Sequence, residues 1–340
     1  MRIGIDLGGT KTEIICLHEE NGKELYRQRV PSPREDYKKT IKTIAGMIEL
    51  AEKTVGRKGT VGVGIPGTVS GVTGKVKNAN STWLNGQKLD KDLESALKRK
   101  VRVENDANCF ALSEATDGAG QKHGVVFGVI IGTGCGAGVV INKKTLTGIN
   151  GIAGEWGHNP LPLPLVKEDD NAPHYHLFDH GKDMKGIINP TYKNNGQPTY
   201  FTADDVNAEY PGPQCYCGKR GCLETWISGT GFKNDYQRVT KSNASTHDII
   251  TMAQKGDADA VAALERYADR LARGLSTVIN ILDPDIIILG GGMGNVKELY
   301  DLVPKLWRKY ILSDTVDTKL ASPFYGDSSG VRGAAWLWND

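Results

Sequence analysis

The feature that most constrains the fold of this chain is a pair of similar apolar segments, each interrupted by a turn rich in glycine and threonine. Residues 3–7 run into the turn 8–11 and continue in the apolar run 14–17, a pattern that predicts two strands joined by a tight turn. The same strand, turn and strand recur at 125–141, about 120 residues later, around a turn at 132–138. This recurrence predicts a duplicated domain in which each copy opens with a loop that fits a phosphate.

The segments around these hairpins alternate between helical and strand patterns. Apolar residues recur at helical spacing through 37–55, and a short apolar run at 61–65 follows. A long amphipathic helix is predicted at 258–282, and the buried strand 285–289 then leads into a third glycine turn at 290–292. Strands that alternate with helices indicate an α/β fold.

Residues 165–213 differ from the rest of the chain. They are rich in Pro, Asn, Asp, His and Tyr and show no clear periodicity, so we expect them to form an excursion outside the core.

The three glycine turns are candidates for binding an anion, because a backbone without Cβ atoms lets its N–H groups come close to a phosphate. Each turn taken alone is also compatible with an ordinary tight hairpin, and only their joint occurrence favours a nucleotide. No Walker A sequence is present, and no G-x-G-x-x-G motif opens a helix. Asp6, beside the first turn, is either a Mg²⁺ ligand or a turn cap, and Lys11 is either a phosphate contact or a surface lysine.

Asn105 and Asp106 lie where a predicted strand, 101–103, gives way to the helical run 109–112. A carboxylate at this position is as compatible with capping the helix as with catalysis. In the second role, Asp106 would accept a proton from a substrate hydroxyl during phosphoryl transfer.

Cys215, Cys217 and Cys222 place three thiols within eight residues. Three cysteines are one ligand short of a closed tetrahedral zinc site, and His158 in the segment 154–158 is the leading candidate for the fourth. Four protein ligands would leave no open coordination position, so the predicted zinc is structural. Three nearer histidines are rival fourth ligands: His174, His176 and His180.

Composition excludes several classes of protein. The 340 residues carry 42 basic and 40 acidic side chains without a long basic run, which argues against nucleic acid or an anionic membrane as a partner. No apolar stretch of about 18 residues occurs, and residues 1–6 lack the apolar core of a signal peptide. We therefore expect a cytoplasmic protein with reduced thiols. Its other cysteines are scattered singly: Cys16, Cys109 and Cys135.

Taken together, these motifs resemble the ROK family of bacterial sugar kinases and repressors, within the actin, hexokinase and Hsp70 superfamily. The resemblance rests on the following: Asp6-Leu7-Gly8-Gly9-Thr10-Lys11, Asn105-Asp106, Gly132-Thr133-Gly134-x-Gly136, Gly154-Glu155-Trp156-Gly157-His158 and the cysteine cluster. Segments 78–86 and 326–336 look like the fructokinase and mannokinase branch.

The resemblance implies a two-domain actin-like ATPase fold, built on the ribonuclease H-like motif, with duplicated sheets and an interdomain cleft. The first domain would span 1–118 and the second 119–328, with the C-terminal helix at about 329–340 packed back on the first domain. The gap of 56 residues between His158 and Cys215 is longer than the family's usual connection, which leaves the role of the extra segment open.

The resemblance also assigns roles to residues. Asp106 becomes the general base that activates the primary hydroxyl of a sugar toward the γ-phosphate of MgATP. The implied sugar ligands are Asn80, Asn105, Glu155, His158 and Glu224. The implied nucleotide and Mg²⁺ residues are Asp6, Gly8, Gly9, Thr10, Lys11, Gly132, Thr133, Gly134, Gly136, Gly290, Gly291 and Gly292. The implied zinc ligands are His158, Cys215, Cys217 and Cys222.

The expected activity is that of an ATP-dependent hexose kinase that makes a 6-phosphate, from fructose and also from mannose, in a homodimer. An N-acetylglucosamine or glucose kinase is the alternative within the family, and the bulk of Trp83 weighs against a pocket for an N-acetyl group. A sugar-responsive repressor is the alternative that is not an enzyme. Such repressors carry a DNA-binding domain before the kinase-like core, whereas only one residue precedes the first strand here.

Overall fold

The structure, a computed structural model, describes residues 1–164 and 209–338. Its strands are β1 (Arg2–Leu7), β2 (Lys11–Leu17), β3 (Glu24–Pro31), β4 (Thr60–Ile65), β5 (Thr68–Val69), β6 (Val76–Lys77), β7 (Val101–Asn105), β8 (Val125–Ile131), β9 (Cys135–Ile141), β10 (Lys144–Thr145), β11 (Ile286–Gly290) and β12 (Lys319–Ala321). Its α-helices are α1 (Tyr37–Val55), α2 (Leu89–Leu97), α3 (Asp106–Thr116), α4 (Glu224–Ile227), α5 (Gly229–Thr240), α6 (Thr246–Gln254), α7 (Ala258–Leu282), α8 (Glu298–Trp307) and α9 (Ser329–Trp336).

Two five-stranded sheets share one topology. The first sheet has the order β3-β2-β1-β4-β7 and the second the order β10-β9-β8-β11-β12. In each sheet the first three strands are antiparallel neighbours and the last two continue in parallel. The duplication predicted from the two hairpins is therefore confirmed, as is the actin-like α/β fold.

Helices cover both faces of each sheet. One apolar cluster joins the outer face of the first sheet to α1 and α2, and a second joins the outer face of the second sheet to α5, α6, α7 and α8. A third cluster lies between the sheets, where α3 and α9 contact strands of both. The molecule is thus layered as helices, sheet, two helices, sheet and helices.

Close backbone contacts bring α3 and α9 together between the sheets. A Cβ atom at Gly333 of α9 would overlap the carbonyl oxygen of Cys109 in α3, and a Cβ atom at Gly62 of β4 would overlap the carbonyl oxygen of Ala334. Only glycine permits such an approach, so the last helix of the chain lies deep against the first sheet. The proposed domain boundaries at 118 and 328 stay a prediction.

The elements with strong periodicity agree with the sequence prediction. Helices α1 and α7 have the predicted bounds, and the strand predicted at 285–289 lies one residue later, at β11. The second glycine turn is shorter than predicted, because residues from Cys135 onward pair with β8. Gly136 therefore lies within β9, opposite Ile130, and not in the turn.

Both ends of the segment predicted as an excursion, 165–213, meet at α7. Residues 165–208 lie outside the described part of the chain, and Glu209 is buried. Its carboxylate accepts two hydrogen bonds from Arg273, both 2.8 Å long, and one of 2.7 Å from Arg270. Arg273 also donates to the carbonyl oxygens of Pro162 and Leu163, at 3.0 and 2.8 Å. One buried guanidinium therefore ties the chain on both sides of the segment.

Within the described residues, no helix has the length and apolarity needed to cross a bilayer.

Candidate active site

The first glycine turn joins β1 to β2 and is braced from β3. The Gly8 N–H donates to the Lys11 carbonyl oxygen at 3.0 Å and closes the turn. Ser32 Oγ donates to the Gly8 carbonyl oxygen at 2.7 Å, and Arg34 Nε donates to the Gly9 carbonyl oxygen at 3.2 Å. Within residues 1–164 and 209–338, the N–H groups of Gly9 and Thr10 meet no protein acceptor. These two donors are free to bind an anion.

The second turn, between β8 and β9, repeats this arrangement. The Gly132 N–H donates to the Gly134 carbonyl oxygen at 3.0 Å. The Gly132 carbonyl oxygen accepts from the Gly229 N–H at 2.8 Å, and the Cys135 N–H donates to Glu224 Oε2 at 2.9 Å. In the described part of the chain, the N–H groups of Thr133 and Gly134 likewise have no protein acceptor.

The third turn lies beside the second at the carboxyl edge of the same sheet. Gly290 ends β11, and Gly291 follows with a φ of 77° that side chains rarely adopt. A Cβ atom at Gly291 would lie 2.5 Å from the carbonyl oxygen of Ile131, the last residue of β8. The turn Gly290–Gly292 and the turn Gly132–Gly134 therefore form one continuous rim, as expected for ligand binding in an α/β protein.

Two half-buried carboxylates, Asp6 and Asp106, lie at the carboxyl edge of the first sheet. Asp6 is near the end of β1, and Asp106 is the first residue of α3. Burial raises the pKa of Asp6 to about 7, and the negative charges of Asp106 and Glu13 add to this effect. Burial also raises the pKa of Asp106 to about 6; hydrogen bonds from backbone N–H groups oppose the shift, and the charge of Glu155 reinforces it. A site that holds two such carboxylates favours a proton or a cation.

The structure assigns the helix cap to Asn105 and not to Asp106. Asn105 Oδ1 accepts from the N–H groups of Ala107 and Asn108 at 2.9 and 3.3 Å, and Asn105 Nδ2 donates to the Gly67 carbonyl oxygen at 3.2 Å. Asp106 is the first residue inside the helix and not its N-cap, although Asp106 Oδ1 also accepts from the Ala107 N–H at 2.8 Å. The three hydrogen bonds of Asn105 use Oδ1 and one of the two N–H groups of its amide. The predicted role of Asn105 as a sugar ligand therefore stays a prediction for the second N–H group.

Asn80 lies on the loop that follows β6, on the first-sheet side of the site. Its backbone N–H donates to the Pro66 carbonyl oxygen at 3.1 Å, and its side chain is exposed. Trp83, on the same loop, donates its indole N–H to Thr40 of α1 at 3.3 Å and is packed against the first-sheet core. The indole is thus partly buried against the core with its N–H turned toward α1, so the bulk of Trp83 alone does not exclude an N-acetyl group.

The segment that carries Glu155 and His158 lies against β9. Gly154 has a φ of 93°, and a Cβ atom there would overlap the carbonyl oxygen of Ala137. Glu155 is exposed, and it is close enough to Asp106 to affect its pKa. His158 Nε2 forms a hydrogen bond of 2.9 Å with Tyr216 Oη. A sugar hydroxyl that binds this nitrogen has to displace Tyr216.

The predicted zinc ligands are brought together. The ligand atoms of His158, Cys215, Cys217 and Cys222 all lie within 4.8 Å of one another. The distance from Cys215 Sγ to His158 Nδ1 is 3.6 Å, and so is the distance between the sulfur atoms of Cys217 and Cys222. Ligands about 2.3 Å from a tetrahedral zinc are separated by about 3.8 Å, so the four residues fit this ion.

A short backbone bridge places His158 beside the cysteines. Pro160 pairs with Cys222, and the Leu161 N–H donates to the Gly221 carbonyl oxygen at 2.9 Å. The rival ligands His174, His176 and His180 lie outside the described residues.

Sequence reasoning missed several residues of the site. Ser32 and Arg34 brace the first turn, Tyr216 contacts His158, and Gly229 contacts the second turn. A signal existed for Gly229, because residues 229–231 repeat the Gly-Thr-Gly letters of 132–134. Nothing in the local pattern marks Ser32, Arg34 or Tyr216.

Comparisons with known proteins agree with this geometry. The model of the ROK family matches residues 2–340. The N-acetyl-D-glucosamine kinase of Yersinia pseudotuberculosis serotype O:1b (strain IP 31758) is 36% identical over 337 residues, which cover 99% of this chain and 98% of the relative.

Two solved structures are similar over nearly the whole chain. The ROK hexokinase from Thermus thermophilus has a TM-score of 0.77 at 26% identity and covers 99% of this chain and 97% of its own. The ROK family glucokinase from Streptomyces griseus, in complex with glucose and AMPPNP, has a TM-score of 0.69 at 25% identity, with 99% and 98% covered. From the duplicated sheets, the paired glycine turns and these matches, we conclude that the chain belongs to the ROK family.

Proposed function

We propose that this protein is an ATP-dependent sugar kinase that transfers the γ-phosphoryl group to the 6-hydroxyl of a hexose. The observation that carries the proposal is the position of Asp106. Asp106 is half-buried and begins a helix that packs against β9, the strand directly after the second turn. The charge of Asp106 acts on Asp6, beside the first turn. The glucokinase with bound glucose and AMPPNP supports this reading, because it has the same fold.

The roles of the residues follow from their chemistry. Asp106 accepts the proton of the sugar hydroxyl as that oxygen attacks the γ-phosphorus. The free N–H groups of Gly9, Thr10, Thr133 and Gly134 bind phosphate oxygens. The carboxylate of Asp6 holds Mg²⁺, directly or through water, and the ion neutralises negative charge on the phosphates when it is bound. Lys11 and Gly290–Gly292 complete the proposed nucleotide site.

The proposed sugar is N-acetyl-D-glucosamine. The relatives at 35–36% identity over 99% of this chain are named for that substrate. The orientation of Trp83 toward Thr40 removes the objection to an N-acetyl pocket. The hydroxyl groups of the sugar require polar partners. The proposed partners are the side chains of Asn80, Glu155, His158 and Glu224 and the second amide N–H of Asn105. The second candidate is fructose, with mannose as an additional substrate. It is supported by the resemblance of segments 78–86 and 326–336 to the fructokinase and mannokinase branch.

A structural zinc ion belongs to this proposal. The ligand set of one histidine and three cysteines leaves no position for a substrate, so the ion would stabilise the segment between His158 and Glu224 and take no part in the chemistry. A homodimer also stays a prediction, which light scattering on the purified protein tests.

A kinase assay that measures ADP release tests the function. We expect turnover with MgATP and N-acetylglucosamine, and a lower kcat/KM for fructose, mannose and glucose. A higher kcat/KM for fructose would replace the first candidate with the second. No turnover with any of the four hexoses, in protein shown to contain zinc, would falsify the proposal.

A further inference from the structure

The carboxylate of Glu224 touches the second glycine turn. Glu224 Oε2 accepts the Cys135 N–H at 2.9 Å, and a Cβ atom at Gly134 would lie 2.8 Å from the same oxygen. Glu224 is the first residue of α4, two positions after the zinc ligand Cys222. The side chain predicted to bind the sugar thus lies against the backbone predicted to bind phosphate.

The same segment holds the other end of that turn. Five residues after Glu224, the Gly229 N–H donates to the Gly132 carbonyl oxygen at 2.8 Å, and a Cβ atom at Gly229 would lie 3.0 Å from that oxygen. Residues 224–229 therefore fix the turn at Gly132 and at Cys135. The donors of Thr133 and Gly134 lie between these two anchors.

The two turns differ in what supports them. The first is braced by Ser32 and Arg34, which follow β3 of its own sheet. The second is braced by a segment that continues from the cysteine cluster. Leu223, immediately before Glu224, donates its backbone N–H to the Asn159 carbonyl oxygen at 2.8 Å, next to His158.

We propose that Glu224 is a positioning residue for the nucleotide as well as a ligand for the sugar, and that it couples the two binding events. This inference rests on the proposed kinase function. One carboxylate oxygen holds the Cys135 N–H, and the other is left for a sugar hydroxyl. A bound sugar adds a second contact that holds the side chain in the conformation in which it accepts the Cys135 N–H, so less of the cost of ordering this turn falls on the nucleotide. Coupling of this kind is reciprocal and typically amounts to about 5- to 150-fold.

Calorimetric titration of MgAMPPNP, with and without N-acetylglucosamine, tests the inference. In the unmodified protein we expect the sugar to tighten nucleotide binding by about 5-fold or more. In Glu224→Ala, and in Glu224→Asp with its shorter side chain, the Cys135 N–H loses its acceptor. We expect nucleotide affinity without sugar to fall about 10-fold, together with loss of the coupling. Glu224→Gln keeps an acceptor oxygen and should retain the affinity for the nucleotide alone.

Glu155→Ala is the matched control, because it removes another predicted sugar carboxylate that has no contact with the turn. It should weaken sugar binding and leave the affinity for MgAMPPNP alone unchanged. Zinc content and the melting temperature establish that each variant is folded. The inference is overturned if Glu224→Ala and Glu224→Asp bind the nucleotide alone as tightly as the unmodified protein. Failure of the proposed function is a separate result, in which the unmodified protein phosphorylates none of the hexoses.

Discussion

At the scale of single residues, the site depends on carboxylates that the fold keeps out of water. Asp6 and Asp106 repel each other, and within residues 1–164 and 209–338 no positive charge is strong enough to restore ordinary pKa values. Such an arrangement weakens the folded protein and favours binding of a proton or a cation. Strain of this kind is typical of a catalytic site.

Asp106→Asn tests the role of the base. The amide has nearly the same shape but cannot accept a proton, so we expect kcat to fall by about 10²- to 10⁴-fold. The dissociation constants for sugar and MgAMPPNP should change little, and zinc should stay bound. A variant that keeps more than a tenth of the original kcat would show that another group is the base.

The pH dependence of activity follows from the raised pKa of Asp106. Only the ionised form accepts a proton, so kcat/KM should decline as the pH falls through about 6. Glu155 and Asp6 are the charged neighbours that act on this group. Replacing Glu155 with Gln removes a negative charge and should move the midpoint to lower pH. A profile that is flat from pH 5 to 8 contradicts the assignment.

Asp6→Asn should stabilise the protein when Mg²⁺ is absent. The pKa of Asp6 is about 7 in the folded state against 3.8 for an ordinary aspartate, so the folded state binds more protons between these values. Its contribution to the free energy of unfolding therefore falls as the pH rises from about 4 to about 7. At pH 8 we expect a higher melting temperature for the variant, with a smaller difference at pH 4. Equal melting temperatures at both pH values would contradict this account, in which Glu13, Asp106 and Arg29 are the other charges that act on Asp6.

At the scale of elements, local sequence patterns determined which helices and strands could be predicted. The paired hairpins, α1 and α7 carry their own periodicity, and their bounds follow from it. The direction of Trp83, the cap at Asn105 and the contact between Glu224 and Cys135 depend on neighbours distant in sequence, so no local pattern contains them. For the site this means that sequence motifs can nominate residues, whose roles stay predictions, whereas the contacts that orient them cannot be read from the sequence.

Disruption of the cysteine cluster should destabilise the protein beyond the loop that carries the cysteines. Cys217→Ser removes one of the four proposed zinc ligands, and we expect the purified variant to contain no zinc and to melt at a lower temperature than the unmodified protein, because metal binding contributes to folding. Lys219→Ala is the control in the same loop, since the hydrogen bonds of Lys219 to Cys215 and Cys217 come from backbone atoms that the substitution keeps. Elemental analysis and thermal unfolding check both variants. Unchanged stability of a zinc-free Cys217→Ser protein would contradict the structural role.

At the scale of the whole molecule, a buried ionic cluster joins distant parts of the second half. Glu209 forms salt bridges with Arg270 and Arg273, and Arg270 forms a second salt bridge, of 2.9 Å, with Asp235 of α5. All four side chains are buried. Such a cluster contributes little net stability when complete, but it is costly when one partner is removed.

Glu209→Ala should therefore reduce the free energy of unfolding by about 3–5 kcal/mol, because two buried guanidinium groups lose their shared acceptor. Chemical denaturation measures the change. Lys91→Ala, which removes an exposed pair with Glu94, is the control and should have almost no effect. If Glu209→Ala is as stable as Lys91→Ala, the expected cost is contradicted, and water has replaced the carboxylate as the acceptor for the two guanidinium groups.

The position of α9 has a consequence for how the protein is made. Residues 329–336 cover the inner face of the first sheet, so β1 and β4 leave the ribosome long before the helix that packs on them has been synthesised. Until then Ile15 and Leu17 of β2, and the backbone at Gly4 and Gly62, lack the cover that α9 provides, and a truncated product that ends before Ser329 keeps them exposed. The newly made chain is therefore vulnerable to aggregation, and dependent on chaperones, until α9 has been synthesised.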